Sequence, residues 1–192
     1  MDASETPVQR SVMSSGAVLA LLACGASLAI IALDVTTSGS RSHDVTSLVA
    51  AALWVLGVLI LMPVGQVERN PLAIVAVVSY AAAFAFPAVT GFTVAGHMAF
   101  YAGWAVVPVA WLANPAFAIS LTFERSGRPA PAGAWALLGF GLALTTLGIA
   151  WNGSTPGAGF WLWAAAPGLL ALGSIVESAR RDWAAAQGRS SS

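Results

Sequence analysis

The sequence predicts an all-α, polytopic membrane protein: a bundle of six transmembrane helices with its N- and C-termini in the cytoplasm. The first observation behind this prediction is the scarcity of charge. Only eight Arg and eight Asp or Glu occur among 192 residues, and 58% of the residues are hydrophobic. A soluble domain carries about 25% charged residues. Disordered segments need more charge and nucleic-acid-binding domains need a basic surface, so both classes are excluded.

The second observation is the length of the segments that contain no charged residue. Four such segments, residues 11–33, 45–67, 70–123 and 129–176, contain 23, 23, 54 and 48 residues. A helix needs about 20 apolar residues to cross the hydrocarbon of a bilayer. The segments therefore hold one, one, two and two helices. Turn-forming residues divide the two longer segments over 90–96 and 151–159.

This division predicts three parts of the chain. Residues 1–13 form a cytoplasmic N-terminal segment, and residues 14–177 form the six-helix domain. Residues 178–192 form a cytoplasmic tail that is partly disordered, over 186–192. The six spans are predicted at 14–34, 47–66, 72–90, 97–122, 133–151 and 159–177.

The third observation is the distribution of arginine, which sets the predicted orientation. In the six-span arrangement seven of the eight arginines lie on the side of the two termini, and only Arg41 lies on the other side. Positive residues of short loops stay in the cytoplasm. We therefore expect a multi-pass protein of a cell membrane. The absence of lysine and the abundance of alanine favour a bacterial cytoplasmic membrane.

Aromatic and proline residues refine the spans. Five aromatic residues near predicted span ends are typical of an interfacial aromatic belt: Trp135, Trp151, Phe160, Trp161 and Trp163. The long fourth span contains Pro108 and Pro115, and each proline removes a backbone hydrogen bond. This span is therefore predicted to be kinked. The lone cysteine, Cys24, is predicted to be a small packing residue of the first helix.

The predicted outer face collects the polar residues that are candidates for a site. They are Asp34, Arg41, His43, Asp44, His97 and Tyr101. Ionisable residues at membrane depth are costly and are therefore functional candidates. One hypothesis makes Asp34 and His97 a proton-transfer pair. The alternatives are metal ligation that adds Asp44 and His43, or an ordinary solvated loop.

Four residues predicted deeper in the membrane are candidates for lining a ligand site: Trp54, Trp104, Trp111 and Asn114. Indole rings offer large apolar faces, and an amide inside a doubly kinked helix indicates a cavity or a hinge. The alternative interpretation is a static kink that only helps the helices to pack.

Sequence motifs of known chemistries are absent. The chain lacks the zinc-protease His-Glu-x-x-His, the serine-hydrolase Gly-x-Ser-x-Gly, the Walker loop and paired cysteines. A lysine Schiff base is excluded because there is no lysine. A bis-histidine haem inside the membrane is excluded because one of the two histidines, His43, lies in a predicted loop. No cofactor or metal is therefore assigned, and enzymatic activity stays undecided.

Three functional hypotheses remain open. The preferred one is a transport component that binds a small solute or lipid through an outward-facing polar entrance. The second is a membrane enzyme that uses acid/base chemistry on an apolar substrate such as an isoprenoid. The third is an accessory subunit of a larger membrane complex. The expected partners are the lipid bilayer, a small apolar or lipid ligand, and another copy or a larger complex, but no nucleic acid.

Overall fold

The structure, a computed structural model, describes residues 15–37, 44–62, 70–90, 94–148 and 155–190. These residues form mainly helices, so the predicted α-helical class is confirmed. The helices are α1 (Ser15–Thr37), α2 (Asp44–Leu61), α3 (Pro71–Ala83), α4 (Gly96–Val106), α5 (Pro108–Trp111), α6 (Ala113–Arg125), α7 (Pro129–Leu144) and α8 (Ala158–Ser190). A 3₁₀ turn, Thr145–Gly148, extends α7, and there are three short strands, β1 (Pro87–Thr90), β2 (Val94–Ala95) and β3 (Thr155–Pro156).

Local sequence explains where several helices begin. Pro71 and Pro129 are the first residues of α3 and α7, positions where a missing N–H costs no helical hydrogen bond. Asn70 caps α3, and its side-chain oxygen accepts a hydrogen bond from the N–H of Ala73 at 3.2 Å. The local sequence therefore determines where α3 and α7 begin.

The helices pack as antiparallel neighbours. Helix α1 lies against α2, α3 lies against α8, and α7 packs on both α6 and α8. Small residues let the axes approach closely: a Cβ added to Gly57 would lie 2.5 Å from the sulfur of Cys24. Cys24 is buried in this α1–α2 contact. Its position agrees with the packing role that the sequence predicts.

A three-stranded sheet lies at one end of the bundle, which we call the sheet end. Strand β1 pairs antiparallel with β2 and with β3, in the order β2-β1-β3. The hydroxyl of Thr90 also donates to the carbonyl of Thr155 at 3.0 Å. The sheet therefore ties the connection after α3 to the connection before α8.

The prediction of a third span over 72–90 is wrong at its C-terminal end. Helix α3 ends at Ala83, and residues 87–90 are strand β1. Pro87 cannot donate a helical hydrogen bond, and the residues after it pair with two other strands instead. All of residues 84–90 are half-buried or exposed, so their apolar composition marks neither a continuing helix nor a part of the core.

The bend is sharper than the kink that the sequence predicts for the fourth span over 97–122. The chain turns at Val107, and Gly96–Gly103 is bent by 111° from Pro108–Arg125. The break immediately precedes Pro108, which lacks the N–H that would continue α4. Pro115 is the third residue of α6 and lies in its first turn, so the main change of direction belongs to Pro108.

The other helix ends differ from prediction by a few residues, except at the C-terminus. Helix α8 continues to Ser190, so the prediction of disorder over 186–192 is wrong for 186–190. The run Ala184–Ala186 consists of the strongest helix-forming residue and favours continuation. Arg189 adds a hydrogen bond from its Nε to the carbonyl of Ala185 at 3.3 Å.

Two helices in the described part of the chain are long and apolar enough to cross a membrane, Pro129–Gly148 and Ala158–Arg189. The bent pair Gly96–Gly103 and Pro108–Arg125 becomes a third if it is counted as one broken span. Three shorter apolar helices accompany them: Val18–Asp34, Val45–Leu61 and Pro71–Ala83. Length and composition thus identify two to three candidate membrane helices.

Substituting Gly173 tests the α3–α8 contact. A Cβ at this position would lie 2.8 Å from Cγ of Asn70. That amide cannot move freely, because it is buried and bonded to Ala73 and Glu124. We expect Gly173→Ala to lower the free energy of unfolding in detergent by about 1–3 kcal/mol, the usual range for overpacking.

The matched control is Gly141→Ala, because Gly141 lies in α7 with nothing within 4 Å of an added Cβ. Its substitution should change the free energy of unfolding by less than about 0.5 kcal/mol. Equal unfolding free energies for the two variants would show that the α3–α8 contact is not as tight as described.

Candidate functional site

A carboxyl and a phenol meet at the sheet end. The Tyr101 hydroxyl on α4 donates a hydrogen bond to Oδ2 of Asp34 on α1. Tyr101 is buried, and Asp34 is half-buried. This Asp34–Tyr101 pair joins two residues that the sequence predicts at the same face of the membrane.

The other polar candidates are not joined to this pair. His97 lies one turn before Tyr101 on α4 and is half-buried. Within the described residues it makes no hydrogen bond to Asp34. Arg41 and His43 lie outside the described residues, as does the side chain of Asp44.

The metal and proton-transfer hypotheses therefore stay predictions. Among the described residues, no three His, Cys, Asp or Glu side chains lie together in a group that could hold a metal ion. The metal hypothesis also needs His43, which lies outside the described residues, and Asp44, whose side chain does.

A buried network of hydrogen bonds lies deeper in the bundle. The indole N–H of Trp54 donates to the hydroxyl of Tyr80 at 2.8 Å, and that hydroxyl donates to Oδ1 of Asn114 at 2.6 Å. The indole N–H of Trp163 donates to the same Oδ1 at 2.8 Å. These four residues, which we call the central network, connect α2, α3, α6 and α8.

The amide nitrogen of Asn114 has a separate partner. It donates to the carbonyl of Trp111 at 3.0 Å. In a continuous helix this carbonyl would accept from the residue four positions later, which is Pro115 and has no N–H. Asn114 therefore satisfies the backbone group that the proline leaves without a helical partner, as a helix in an apolar environment requires.

Aromatic rings extend from the central network to helix α4. The rings of Trp54, Phe100 and Trp111 lie with centroids 5.5 to 6.4 Å apart. The indole N–H of Trp111 donates to the carbonyl of Phe100 at 2.9 Å. Because Phe100 precedes Tyr101 in α4, this aromatic cluster adjoins the helix that carries the pair.

The candidates Trp54, Trp111 and Asn114 are thus brought together, and the fourth candidate, Trp104, belongs to α4 with its side chain outside the described residues. The acceptor Oδ1 of Asn114 takes two hydrogen bonds, which uses both of its lone pairs. The hydrogen bonds fix the positions of the central network, and the rings of Trp54 and Phe100 belong to the buried core beside it.

A second buried cluster lies near the other end of α6, among residues that sequence reasoning missed. Glu124 is only 4% exposed. Its Oε1 accepts from the amide of Asn70, and its Oε2 accepts from the hydroxyl of Ser174, both at 2.8 Å. We call these three residues the Glu124 cluster. Although Glu124 lies close to the end of α6, its carboxylate points into the contact of α3, α6 and α8.

The spacing of polar residues in the sequence indicates the contacts of the central network and of the Glu124 cluster. Asn70 and Tyr80 are ten residues apart, and so are Asn114 and Glu124. In two antiparallel helices, equal spacing lets both pairs meet at once. The sequence predicts Trp163 in the aromatic belt, but its indole N–H donates to the central network. Trp161, which is 51% exposed, still fits a belt.

Comparison with known proteins supplies no family for the chain. It matches no protein-family model, no curated protein and no solved structure. A function must therefore be argued from the side chains and their contacts.

A double-mutant cycle tests the link between Asn114 and Pro115. We expect Asn114→Ala to destabilise the protein, because it leaves the Trp111 carbonyl without its partner and removes the acceptor of the Tyr80 hydroxyl and of the Trp163 N–H. In a Pro115→Ala background the new backbone N–H satisfies that carbonyl. The loss caused by Asn114→Ala should then shrink by about 1 kcal/mol in equilibrium unfolding in mixed micelles.

The matched control is Pro131→Ala, since Pro131 is the third residue of α7 as Pro115 is the third of α6. It should show no coupling to Asn114→Ala. A cycle with the same, near-zero coupling at both prolines would refute the role assigned to the Asn114 amide.

Proposed function

We propose that this chain is a component of membrane transport that binds a small solute or lipid, with the Asp34–Tyr101 pair as its polar entrance. The observation that carries the proposal is the position of the pair at a broken helix. Tyr101 lies on α4, which is bent by 111° from the rest of its span. Transporters commonly build their binding sites at discontinuous helices of this kind.

The contacts around α4 support an entrance there. Helix α4 is joined to α1 through Tyr101 and Asp34, and to α2 through Ser47, whose hydroxyl lies 2.9 Å from the sulfur of Met98. Beyond these contacts lie the aromatic cluster and the central network. A solute that displaces α4 would meet apolar rings first and a fixed amide behind them.

We infer that the chain crosses the membrane six times, with both termini in the cytoplasm of a bacterial cell. The arginines support this orientation. The five that belong to described residues, Arg125, Arg128, Arg180, Arg181 and Arg189, all lie opposite the sheet end. Arg181 fixes that end by pairing with Glu177 at 2.8 Å and donating to the carbonyl of Gly127 at 2.7 Å.

Co-purification tests the proposed binding function. Purified in mild detergent, the wild-type protein should carry a small molecule or lipid that mass spectrometry of the intact complex detects. Asp34→Asn and Tyr101→Phe remove the charge and the hydroxyl of the pair, and each should lower the bound fraction several-fold. Thermal unfolding should show that both variants remain folded.

The control is Asp182→Asn, which removes an exposed carboxylate from the tail of α8 and should leave the bound fraction unchanged. The proposal is refuted if the wild-type protein carries no such ligand, or if both pair variants retain it at the wild-type level.

Thiol labelling tests the orientation. In a Cys24→Ser background, a cysteine at exposed Thr90 at the sheet end should react with a membrane-impermeant maleimide added to intact cells. A cysteine at exposed Ser126, in the turn between α6 and α7, should react only after lysis. The reverse pattern would invert the topology, and labelling of both sites in intact cells would contradict a membrane-crossing domain between them.

A further inference from the structure

We propose that one face of α8 is a lipid-contacting surface, and that Trp161 and Trp183 hold its two ends at the opposite interfaces of the bilayer. The acyl chains of the membrane are the partner that covers the face between them. This arrangement goes beyond the proposed function, because it holds whether or not a solute binds.

A stripe of exposed, uncharged residues runs along one side of α8. Its members, which we call the Trp161–Trp183 face, are Trp161, Ala165, Leu172, Val176, Ala179 and Trp183. At 3.6 residues per turn, all six lie within about 60° of one another around the helix axis. The opposite side of α8 is packed inside the bundle, where Ala166, Leu170 and Ser174 are fully buried. Helix α8 therefore has one side in the core and one side without protein contacts among the described residues.

The length of this face matches a bilayer. Trp161 lies in the first turn of α8, and the helix runs on without interruption past Trp183 to Ser190. The two tryptophans are 22 positions apart, which corresponds to about 33 Å along the axis. The hydrocarbon core of a bilayer is about 30 Å thick, and tryptophan is enriched at both of its interfaces. Each indole therefore reaches the headgroup level of a different leaflet.

The turn between α6 and α7 marks the level of Trp183 independently. The carbonyl of Gly127 in this turn accepts a hydrogen bond from Arg181 at 2.7 Å. Trp183 lies two residues beyond Arg181, or about 3 Å further along the axis. The exposed indole is thus level with a turn that contains exposed Ser126 and Arg128, as expected at a membrane surface.

The end of α7 marks the level of Trp161 in the same way. A Cβ added to Gly168 of α8 would lie 3.2 Å from the ring of Phe140 on α7, so these two residues face each other. The helices are antiparallel, and seven residues further along each of them lie Leu147 and Trp161. Leu147 belongs to the 3₁₀ turn that ends α7. Trp161 is therefore level with the point where the neighbouring helix ends.

The indole N–H groups separate these two tryptophans from those of the core. The N–H groups of Trp54, Trp111 and Trp163 all donate to acceptors inside the protein. Within the described residues, those of Trp161 and Trp183 have no acceptor, and the two side chains are 51% and 69% exposed. An indole with an apolar ring and a free donor fits the interface, where lipid carbonyl and phosphate oxygens accept hydrogen bonds.

Lipid fits this face better than a second protein helix does. Membrane helices approach one another through small residues. The glycines Gly168 and Gly173 of α8 already serve this purpose inside the bundle, against Phe140 and Asn70. The middle of the Trp161–Trp183 face instead presents the branched side chain of Leu172, which is 54% exposed. It carries no charge and no hydrogen-bonding side chain between the two indoles.

Depth measurement by electron paramagnetic resonance tests this placement. In a Cys24→Ser background, single cysteines replace Ala165, Leu172, Ala179 and Ala186, which follow one another at intervals of seven on one side of α8. Each carries a nitroxide label in phosphatidylcholine vesicles. Collisions with oxygen, which concentrates at the bilayer centre, are compared with collisions with a water-soluble nickel chelate.

We expect the ratio of oxygen to nickel collisions to be highest at Leu172, which is midway between the indoles. The ratio should be several-fold lower and nearly equal at Ala165 and Ala179, because both are about 10 Å from that midpoint. Ala186 is the matched control. It is an exposed alanine of the same helix beyond Trp183, and its label should collide with the nickel chelate as a label in water does.

Tryptophan fluorescence gives a second measurement that needs no label. The emission lost in Trp161→Phe and in Trp183→Phe should be quenched more strongly by lipids brominated near the headgroup than by lipids brominated at the chain ends. Stronger quenching by the deep bromines for either residue would overturn its role as an interfacial anchor.

The labels also distinguish the other partners. A label at Leu172 that collides with neither reagent would show that a second copy or another protein covers the face, and one that collides mainly with the nickel chelate would show that water does. Either result overturns the proposal, as does a ratio that is highest at Ala165, Ala179 or Ala186.

Discussion

The side chain of Asn114 provides the interaction on which the rest of the structure depends. Its nitrogen satisfies the Trp111 carbonyl that Pro115 leaves without a helical partner, and its oxygen holds Tyr80 and Trp163. An unpaired carbonyl in an apolar interior is costly, so a proline there needs a nearby donor. One amide thus satisfies the carbonyl at the interruption, and its oxygen connects α3 and α8 to α6.

Two levels of polar contact fix how the helices are aligned. The central network and the Glu124 cluster both connect α3, α6 and α8, about 15 Å apart along α6 at a rise of 1.5 Å per residue. Between them lie apolar residues such as Phe117, Leu121 and Leu170, which are fully buried. Apolar packing between membrane helices tolerates sliding, whereas a shift of one residue would break polar contacts at both levels. Burial brings the helices together, and hydrogen bonds select their register.

The sequence predicts this fold well wherever a single physical rule dominates. Gaps between charges locate the apolar helices, and Pro108 marks the break in the fourth span because no backbone donor exists there. Prediction fails where a distant partner decides the outcome. Residues 87–90 belong to a segment without charged residues, and they form a strand because two other segments pair with them. In the same way, the burial of Glu124 depends on Asn70 and Ser174, which its own neighbours in sequence do not reveal.

The contacts that hold α4 differ from those that join α3, α6 and α8. Helices α3, α6 and α8 are joined by polar contacts at two levels. The contacts of α4 include hydrogen bonds from Tyr101 to Asp34 and from Trp111 to the carbonyl of Phe100, and the packing of Phe100 on Trp54 and Trp111. The hydroxyl of Ser47 also contacts the sulfur of Met98. A hydrogen bond to a charged group contributes about 1.5–3 kcal/mol, and each aromatic pair about 0.5–1.5 kcal/mol. Displacing α4 therefore costs only part of what separating the bundle costs. Any ligand that displaces α4 must supply free energy of that size through its own contacts.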